Sequence, residues 1–337
     1  MTETTQDTFI PFPGAWPQPT ILKLDNTKRE SYCSCPRRYF YVYIMGYKSL
    51  VGSTALRYGI VWHKVMEKFY AHIAENGWTR DGKALEAGIQ AGQVEWDRYS
   101  EKQDFYEDYR TLQNLFTAFI QYTDHFAHDD GFLKIIEPEK VYQILMEPDP
   151  ETGLWTMSEL ETPDTFAGLS PFYFTGKRDL TIELNSLPWI MEFKTSGQAL
   201  ALQKSRLHRR TQYMGYIYAA KKELGIIPEG MLVSLHQLSA YKSKKTGLYG
   251  KPKIDFDRSP QIFDEGDLMN WKLSFLDTAE RIQADLERNL WPMRFDSCYT
   301  YGRCGFCNIC EQNRPLGEEN LQGFIQAEPW DVTKEES

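Results

Sequence analysis

Cysteine is missing from residue 36 to residue 297; all six cysteines sit at 33, 35, 298, 304, 307 and 310. A secreted disulfide framework spreads its thiols along the chain, so this distribution excludes one and points to metal ligation in a reducing compartment. No apolar run approaches the ~20 residues that cross a bilayer. The opening MTETTQDTFIPFPGAWPQP lacks the basic, apolar and small-residue succession of a secretory leader, so a cytoplasmic protein with no membrane partner is expected. Net positive charge is absent as well: the formal charge is −9. That excludes a general basic coat for nucleic acid but not a local basic groove, since charge acts over a Debye length of ~8–10 Å. There is no G-x-x-x-x-G-K-[ST], so any unwinding motor must be a separate partner. No internal repeat and no low-complexity tract occur.

What is present fits a folded protein with a substantial core. Of the 337 residues, 42% are hydrophobic, 14% aromatic and 25% charged. Residues 1–28 read as an irregular lead-in, 29–313 as one domain and 314–337 as an acidic tail expected to be partly disordered. Residues 54–75 place Ile60, Val61, Val65, Met66, Phe69 and Ile73 at helical spacing. One or two further helices follow in 84–126, with Leu112, Leu115, Phe116, Phe119 and Ile120 as the expected buried stripe, giving a helical subdomain over 54–130. His125 and His128 receive no role. Ile135–Met146 reads as a strand, 148–153 as a turn, 199–224 as a helix, 230–238 as a buried strand, 241–253 as an exposed lysine-bearing hairpin or loop, and 264–290 as a last helix.

The stretch that organises the chain is FYFTGKRDLTIELNSLPWIMEFKT (172–195), read as a β-hairpin. Its arms are 173–184 and 189–195, joined by a turn over Asn185 to Pro188. Alternation projects Glu192 and Lys194 from one face, with Phe193 buried behind them. Antiparallel pairing brings Asp179 beside Glu192. Two carboxylates and an ammonium would then converge, a set suited to magnesium or manganese and to phosphodiester hydrolysis. Taken alone, these residues equally describe a solvated face with cross-strand ion pairs. The lone helical His63 likewise reads as a structural group. Gln212 and Tyr216 share a helix face four residues apart. Lys204, Arg206, His208, Arg209 and Arg210 form the densest basic run, a solvated face or a phosphate-contact surface.

The spacing Cys298-x5-Cys304-x2-Cys307-x2-Cys310 is the strongest metal signal in the chain, and both zinc and iron–sulfur clusters accept such ligands. Either the C-x2-C-x2-C run ligates, or Cys298, Cys304 and Cys310 do so while Cys307 is a small buried hydrophobe. Cys35 is the expected fourth ligand from the other end.

In this order, CPRRYFY, GIVWHKVME, GKRDL, MEFKT and QYMGY followed by the trailing cysteines resemble the RecB-like iron–sulfur branch of the PD-(D/E)XK nucleases. That branch holds CRISPR-associated adaptation nucleases, exonuclease V and many phage proteins. The resemblance covers roughly 33–310. It implies an α/β fold: a central mixed sheet containing the hairpin, flanked by helices, with the cluster joining the termini. It implies His63, Asp179 and Glu192 as ligands of magnesium or manganese, Glu192 and Lys194 as the E-x-K pair, and Gln212 and Tyr216 as the Q-x3-Y motif. Cys35, Cys298, Cys304 and Cys310 are implied as ligands of a structural 4Fe-4S cluster, with zinc the less favoured occupant. The implied activity is exonucleolytic hydrolysis of DNA, single-stranded or with free ends, in recombination, repair or processing. A separate helicase or recombination protein is the implied partner. The commoner trailing pattern C-x2-C-x5-C is not present, and six thiols compete for four places. The reading from another class is a non-hydrolytic nucleic-acid-binding or assembly subunit on a nuclease scaffold.

Overall fold

The computed structural model describes residues 21–50, 52–79, 81–102, 108–148, 155, 166, 168–207, 210–300, 303–311 and 323–334. Expectations for the lead-in up to residue 20, for 149–153, for His208 and Arg209, and for 314–322 lie outside them. The first elements are β1 (Lys23–Leu24), α1 (Asn26–Ser34), α2 (Pro36–Tyr39), β2 (Tyr47–Ser49), α3 (Thr54–Asn76), α4 (Lys83–Lys102) and α5 (Leu112–Asp130). Strands β3 (Lys134–Glu137), β4 (Lys140–Met146), β5 (Phe172–Arg178), β6 (Leu180–Leu184) and β7 (Leu187–Ser196) follow. Then come α6 (Leu200–Lys204), α7 (Thr211–Leu224), β8 (Gly230–Ser239), β9 (Lys253–Ile262), α8 (Glu265–Arg288), α9 (Cys307–Glu311) and β10 (Phe324–Gln326). The chain is a mixed α/β protein of two units.

One unit comprises Leu50–Ile144, Thr175–Trp271 and Val332–Ser337. Its five-stranded sheet has the order β3-β6-β7-β8-β9. All neighbours are antiparallel except β7 and β8, which are parallel and joined through α6 and α7. The central β8 is buried almost throughout, which explains its near-continuous apolar run. Helix α3 starts where the Ser53 hydroxyl accepts from Leu56 N–H and ends at Gly77, whose φ of 74° few other residues tolerate. Its stripe Val61, Trp62, Val65, Met66 and Phe69 packs with Leu115, Phe119 and Tyr122 of α5 against Phe193 and Phe256 of the sheet. Ile120, expected in that stripe, is 42% exposed. It sits one residue past the buried Phe119, on the solvent side of the helix.

Four expectations are corrected here. The hairpin turn is two residues, Asn185 and Ser186, both with positive φ, and Leu187 and Pro188 already pair with Leu184 and Glu183. Such a turn matches the twist of the strands it joins. The first arm is not continuous: it breaks at Asp179, β5 pairing with β1 and β4 while β6 pairs with β3 and β7. The expected helix over 199–224 is two helices, because Arg210 is extended and the intervening turn buries Leu207. The strand expected over 135–146 likewise divides into β3 and β4.

The other unit comprises Met1–Ser49, Leu145–Phe174 and Lys272–Asp331. Here β1 pairs in parallel with Tyr173 and Phe174, and β10, within the tail expected to be partly disordered, pairs antiparallel with β2. Trp291 is fully buried and stacks on Tyr39 and Phe40. Tyr32 donates to Asp285 at 2.6 Å, and Arg37 donates to the carbonyl of Trp291 at 2.6 Å. The early and late parts of the chain therefore share one aromatic core.

Candidate active site

Asp179 occupies the break between β5 and β6. The register that pairs Leu180 with Met191 sets it opposite Glu192 on β7. Its Oδ2 accepts from Phe193 N–H at 2.9 Å, and its Oδ1 lies 3.0 Å from His63 Nδ1 on α3. Glu192 is 1% exposed. One of its oxygens pairs with Lys194, while Oε2 is buried with no hydrogen-bond partner among the described residues. Lys194 also donates to Gln212 Oε1 at 3.0 Å, and Gln212 Nε2 donates to the Tyr216 hydroxyl at 2.6 Å. Strand alternation accounts for this arrangement: Phe193 enters the core, and Glu192 and Lys194 face α7. Two strings of polar contacts result, one running His63–Asp179–Phe193 N–H and the other Glu192–Lys194–Gln212–Tyr216, and they adjoin where Asp179 accepts from the residue after Glu192.

The electrostatics of the group follow from its burial. Burial is the largest single influence on His63 and Asp179 and opposes charge on both, but the surroundings together outweigh it: Asp179 and then Glu192 hold His63 above its ordinary pKa, and His63, the Phe193 N–H and Lys194 hold Asp179 below its own. Burial, and then the charge of Asp179, push Glu192 up to about 7. Burial followed by Glu192 raises the Tyr216 hydroxyl well above its ordinary value. Two carboxylates this close repel one another. Lys194 and His63 supply the countercharge in this arrangement.

Several residues that hold the site carry no motif. Arg178 is 1% exposed and clamps the β5–β6 corner, donating to Glu137 at 2.9 Å and Glu223 at 2.8 Å. Gly176 leaves room for Tyr142: a Cβ there would lie 2.1 Å from the tyrosine oxygen. Glu139 pairs with Lys177 at 3.1 Å and is pushed up to about 7, by burial first, with Glu67 and Asp179 contributing. Glu67 lies one turn beyond His63, and that i,i+4 spacing was its only signal in the sequence. In the basic run, Lys204 pairs with Asp257, Arg206 bonds Gln198 at 3.0 Å, and Arg210 donates to the Arg206 carbonyl. Of its described residues, Lys204 ends α6, Arg206 lies in the turn after it and Arg210 is the extended residue before α7, so they do not share one helix face.

The cysteines belong to the unit that carries α1. Cys35 separates α1 from α2. Arg294 donates to the Cys33 carbonyl at 2.7 Å and Ser297 to the Ser34 carbonyl at 2.6 Å, which brings the 298–310 loop to Cys35. Cys304 N–H donates to the Cys298 carbonyl at 2.7 Å. Burial, then Cys307, Cys304 and Cys35, raise the Cys298 thiol. Burial pushes Cys310 up to about 11, with Cys35 and Cys304 adding to it against Arg37. Cys33 points elsewhere, its sulfur 3.7 Å from Thr278 Oγ1 on α8.

Among the described residues, no three His, Cys, Asp or Glu side chains stand in the geometry that grips a metal ion. The donor chemistry nevertheless fits a hard cation at Asp179 and Glu192. Both are carboxylates, both are buried, and one Glu192 oxygen lacks a partner.

The family model of the PD-(D/E)XK nuclease superfamily matches residues 26–311. None of the curated proteins matches the chain. Among solved structures, a candidate exonuclease from Eubacterium rectale is 13% identical, covering 88% of this chain and 90% of its own, with a TM-score of 0.41. A second, whose name states neither organism nor activity, is 13% identical, covering 76% of this chain and 86% of its own, with a TM-score of 0.28.

Proposed function

The chain belongs to the PD-(D/E)XK nuclease superfamily, and from that premise we propose a metal-dependent DNA exonuclease of the RecB-like iron–sulfur branch, acting in recombination, repair or processing. The observation that carries the reading is the meeting of Asp179, Glu192 and Lys194 beside one unpartnered carboxylate oxygen. Asp179, Glu192 and His63 are the residues to hold magnesium or manganese. When bound, the ion supplies Lewis-acid polarisation of the scissile phosphate and activation of water. Lys194 places the attacking water and offsets charge on the phosphate. Gln212 fixes the Lys194 ammonium through its own bond to Tyr216.

The 4Fe-4S assignment rests on the shared neighbourhood of Cys35, Cys298, Cys304, Cys307 and Cys310 and on thiolate donor chemistry. Cys35, Cys298, Cys304 and Cys310 are the proposed ligands, in a structural role. A helicase or recombination protein would act as a separate partner.

The test is an end-labelled digestion series on single- and double-stranded DNA. Expected is progressive shortening with magnesium or manganese, none in chelator and none with Glu192→Ala. DNA left intact under every metal condition would instead favour a binding subunit. Purified protein should absorb broadly near ~400 nm; a colourless, zinc-loaded preparation would overturn the cluster.

A further inference from the structure

The segment 240–253 carries five lysines and no acidic residue, in a chain whose net charge is −9. It forms a small exposed hairpin closed by a bridge between Lys242 and Tyr249. On it Tyr241 and Leu248 are each 71% exposed. Tyr249 meets Tyr109 edge to face with ring centres 5.2 Å apart. The Lys242 ammonium lies 5.1 Å from the Tyr249 ring, and the Arg110 guanidinium 4.5 Å from the Tyr109 ring.

This aromatic and cationic group adjoins the catalytic strand. At the end of β7, a Cβ on Gly197 would lie 3.0 Å from the Tyr109 oxygen and 3.4 Å from Arg110 Nη2. Gly197 is three residues beyond Lys194, ~10 Å along an extended chain. The start of α3, the helix that carries His63, reaches the same segment through Thr54, which donates to Asp108 at 2.8 Å. Lysines beside exposed rings are what an unpaired strand requires: bases stack on the rings and phosphates meet the ammonium groups. A blunt duplex offers no free base faces along its length.

We propose that Tyr109, Tyr241 and Tyr249, with Lys242, Lys244 and Lys245, form a stacking platform that holds the unpaired bases of a DNA single strand and leads its phosphates to Asp179 and Glu192. The proposal rests on the nuclease reading and names the substrate form: single-stranded ends rather than blunt duplex.

The experiment uses the full chain in chelator and measures anisotropy of a labelled single-stranded oligonucleotide and of its abasic counterpart. Tyr241→Ala with Tyr249→Ala should weaken binding of the normal strand by at least about fivefold. The abasic strand should bind weakly to the unsubstituted protein and lose nothing further. Tyr241→Phe with Tyr249→Phe should restore binding, because the ring and not the hydroxyl does the stacking. With metal, KM for single strands should rise in the alanine variant while kcat holds. Unchanged single-strand binding in that variant, or equal losses for normal and abasic strands, would overturn the platform and leave the nuclease reading intact. Tight single-strand binding by an unsubstituted protein that cuts no DNA would overturn the nuclease reading, and with it the route to Asp179 and Glu192.

Discussion

Gln212 uses both ends of its amide at once: Oε1 accepts from Lys194 and Nε2 donates to Tyr216. Its bonds run to Lys194 and Tyr216 rather than to Asp179 or Glu192, so it acts through the position of Lys194. Removing it leaves Lys194 with Glu192 as its remaining partner among the described residues, free to tilt toward the carboxylate. A misplacement of about 1 Å can lower turnover about a hundredfold. Gln212→Ala should therefore cut kcat ten- to a hundredfold with KM nearly unchanged, read in single-turnover digestion; a rise in KM alone would remove its positioning role. His236, on the same sheet, makes a different point. Both its ring nitrogens are buried without a partner among the described residues, and the ring packs on Trp62 at 4.1 Å. Burial lowers its pKa to about 3, against an ordinary 6.5. Between those values the unfolded chain binds the proton and the folded one does not. This residue's contribution is thus fully present above pH 6.5 and is lost as pH falls toward 3, by up to ~1.4 kcal/mol per pH unit. His236→Phe should flatten the acid side of the stability profile measured by urea unfolding at stepped pH. An unchanged slope would show that His236 is already protonated when folded.

At the scale of elements, the β6–β7 hairpin was legible because its signals are local. Period-two alternation buries Phe193 and pairs Glu192 with Lys194, and Asn185 and Ser186 tolerate positive φ. The break at Asp179 was not legible, since it follows from β5 joining other partners and from the Arg178 clamp. Nor was the buried network in which Arg258 pairs with Asp130 at 2.5 Å and donates to Tyr122 at 2.8 Å, for no spacing links residues so distant in the chain. The α6–α7 interruption escaped a reading by helical period because a buried Leu207 suits a turn as well as a helix. In the site, the residues at strand and helix spacing were found, whereas Glu139 and Lys177 meet through tertiary packing alone. Gly176 on β5 faces the ring of Tyr142 on β4 at close range. Gly176→Ala should destabilise by about 1–3 kcal/mol through overpacking against Tyr142. In a Tyr142→Leu background the same change should cost less, and equal costs in both backgrounds would assign the loss to the backbone instead.

At the scale of the whole chain, early and late segments meet in one unit through backbone carbonyls as well as rings. Arg37 donates to the Trp291 carbonyl, Arg294 to that of Cys33, and Ser297 to that of Ser34. Closing so long a loop has an entropy cost of roughly 5 kcal/mol. Four thiolates on one cluster would add cross-links where these hydrogen bonds already hold the segments. The proposed cluster would take four of the six cysteines, and the direction of Cys33 argues against it as one of them, because its sulfur rests against Thr278 while Cys35 lies among the trailing thiols. Cys33→Ser should keep the iron content and the absorption near ~400 nm. Cys35→Ser should lose both, and hydrogen exchange should then quicken in α1 and in the 294–311 segment together, since one tether released frees two ends. Iron lost from Cys33→Ser but kept in Cys35→Ser would reverse the ligand assignment. Iron kept in both variants would show that neither Cys33 nor Cys35 is a ligand, and that the junction of early and late segments is held by Trp291 and its aromatic neighbours without a tether from the early cysteines.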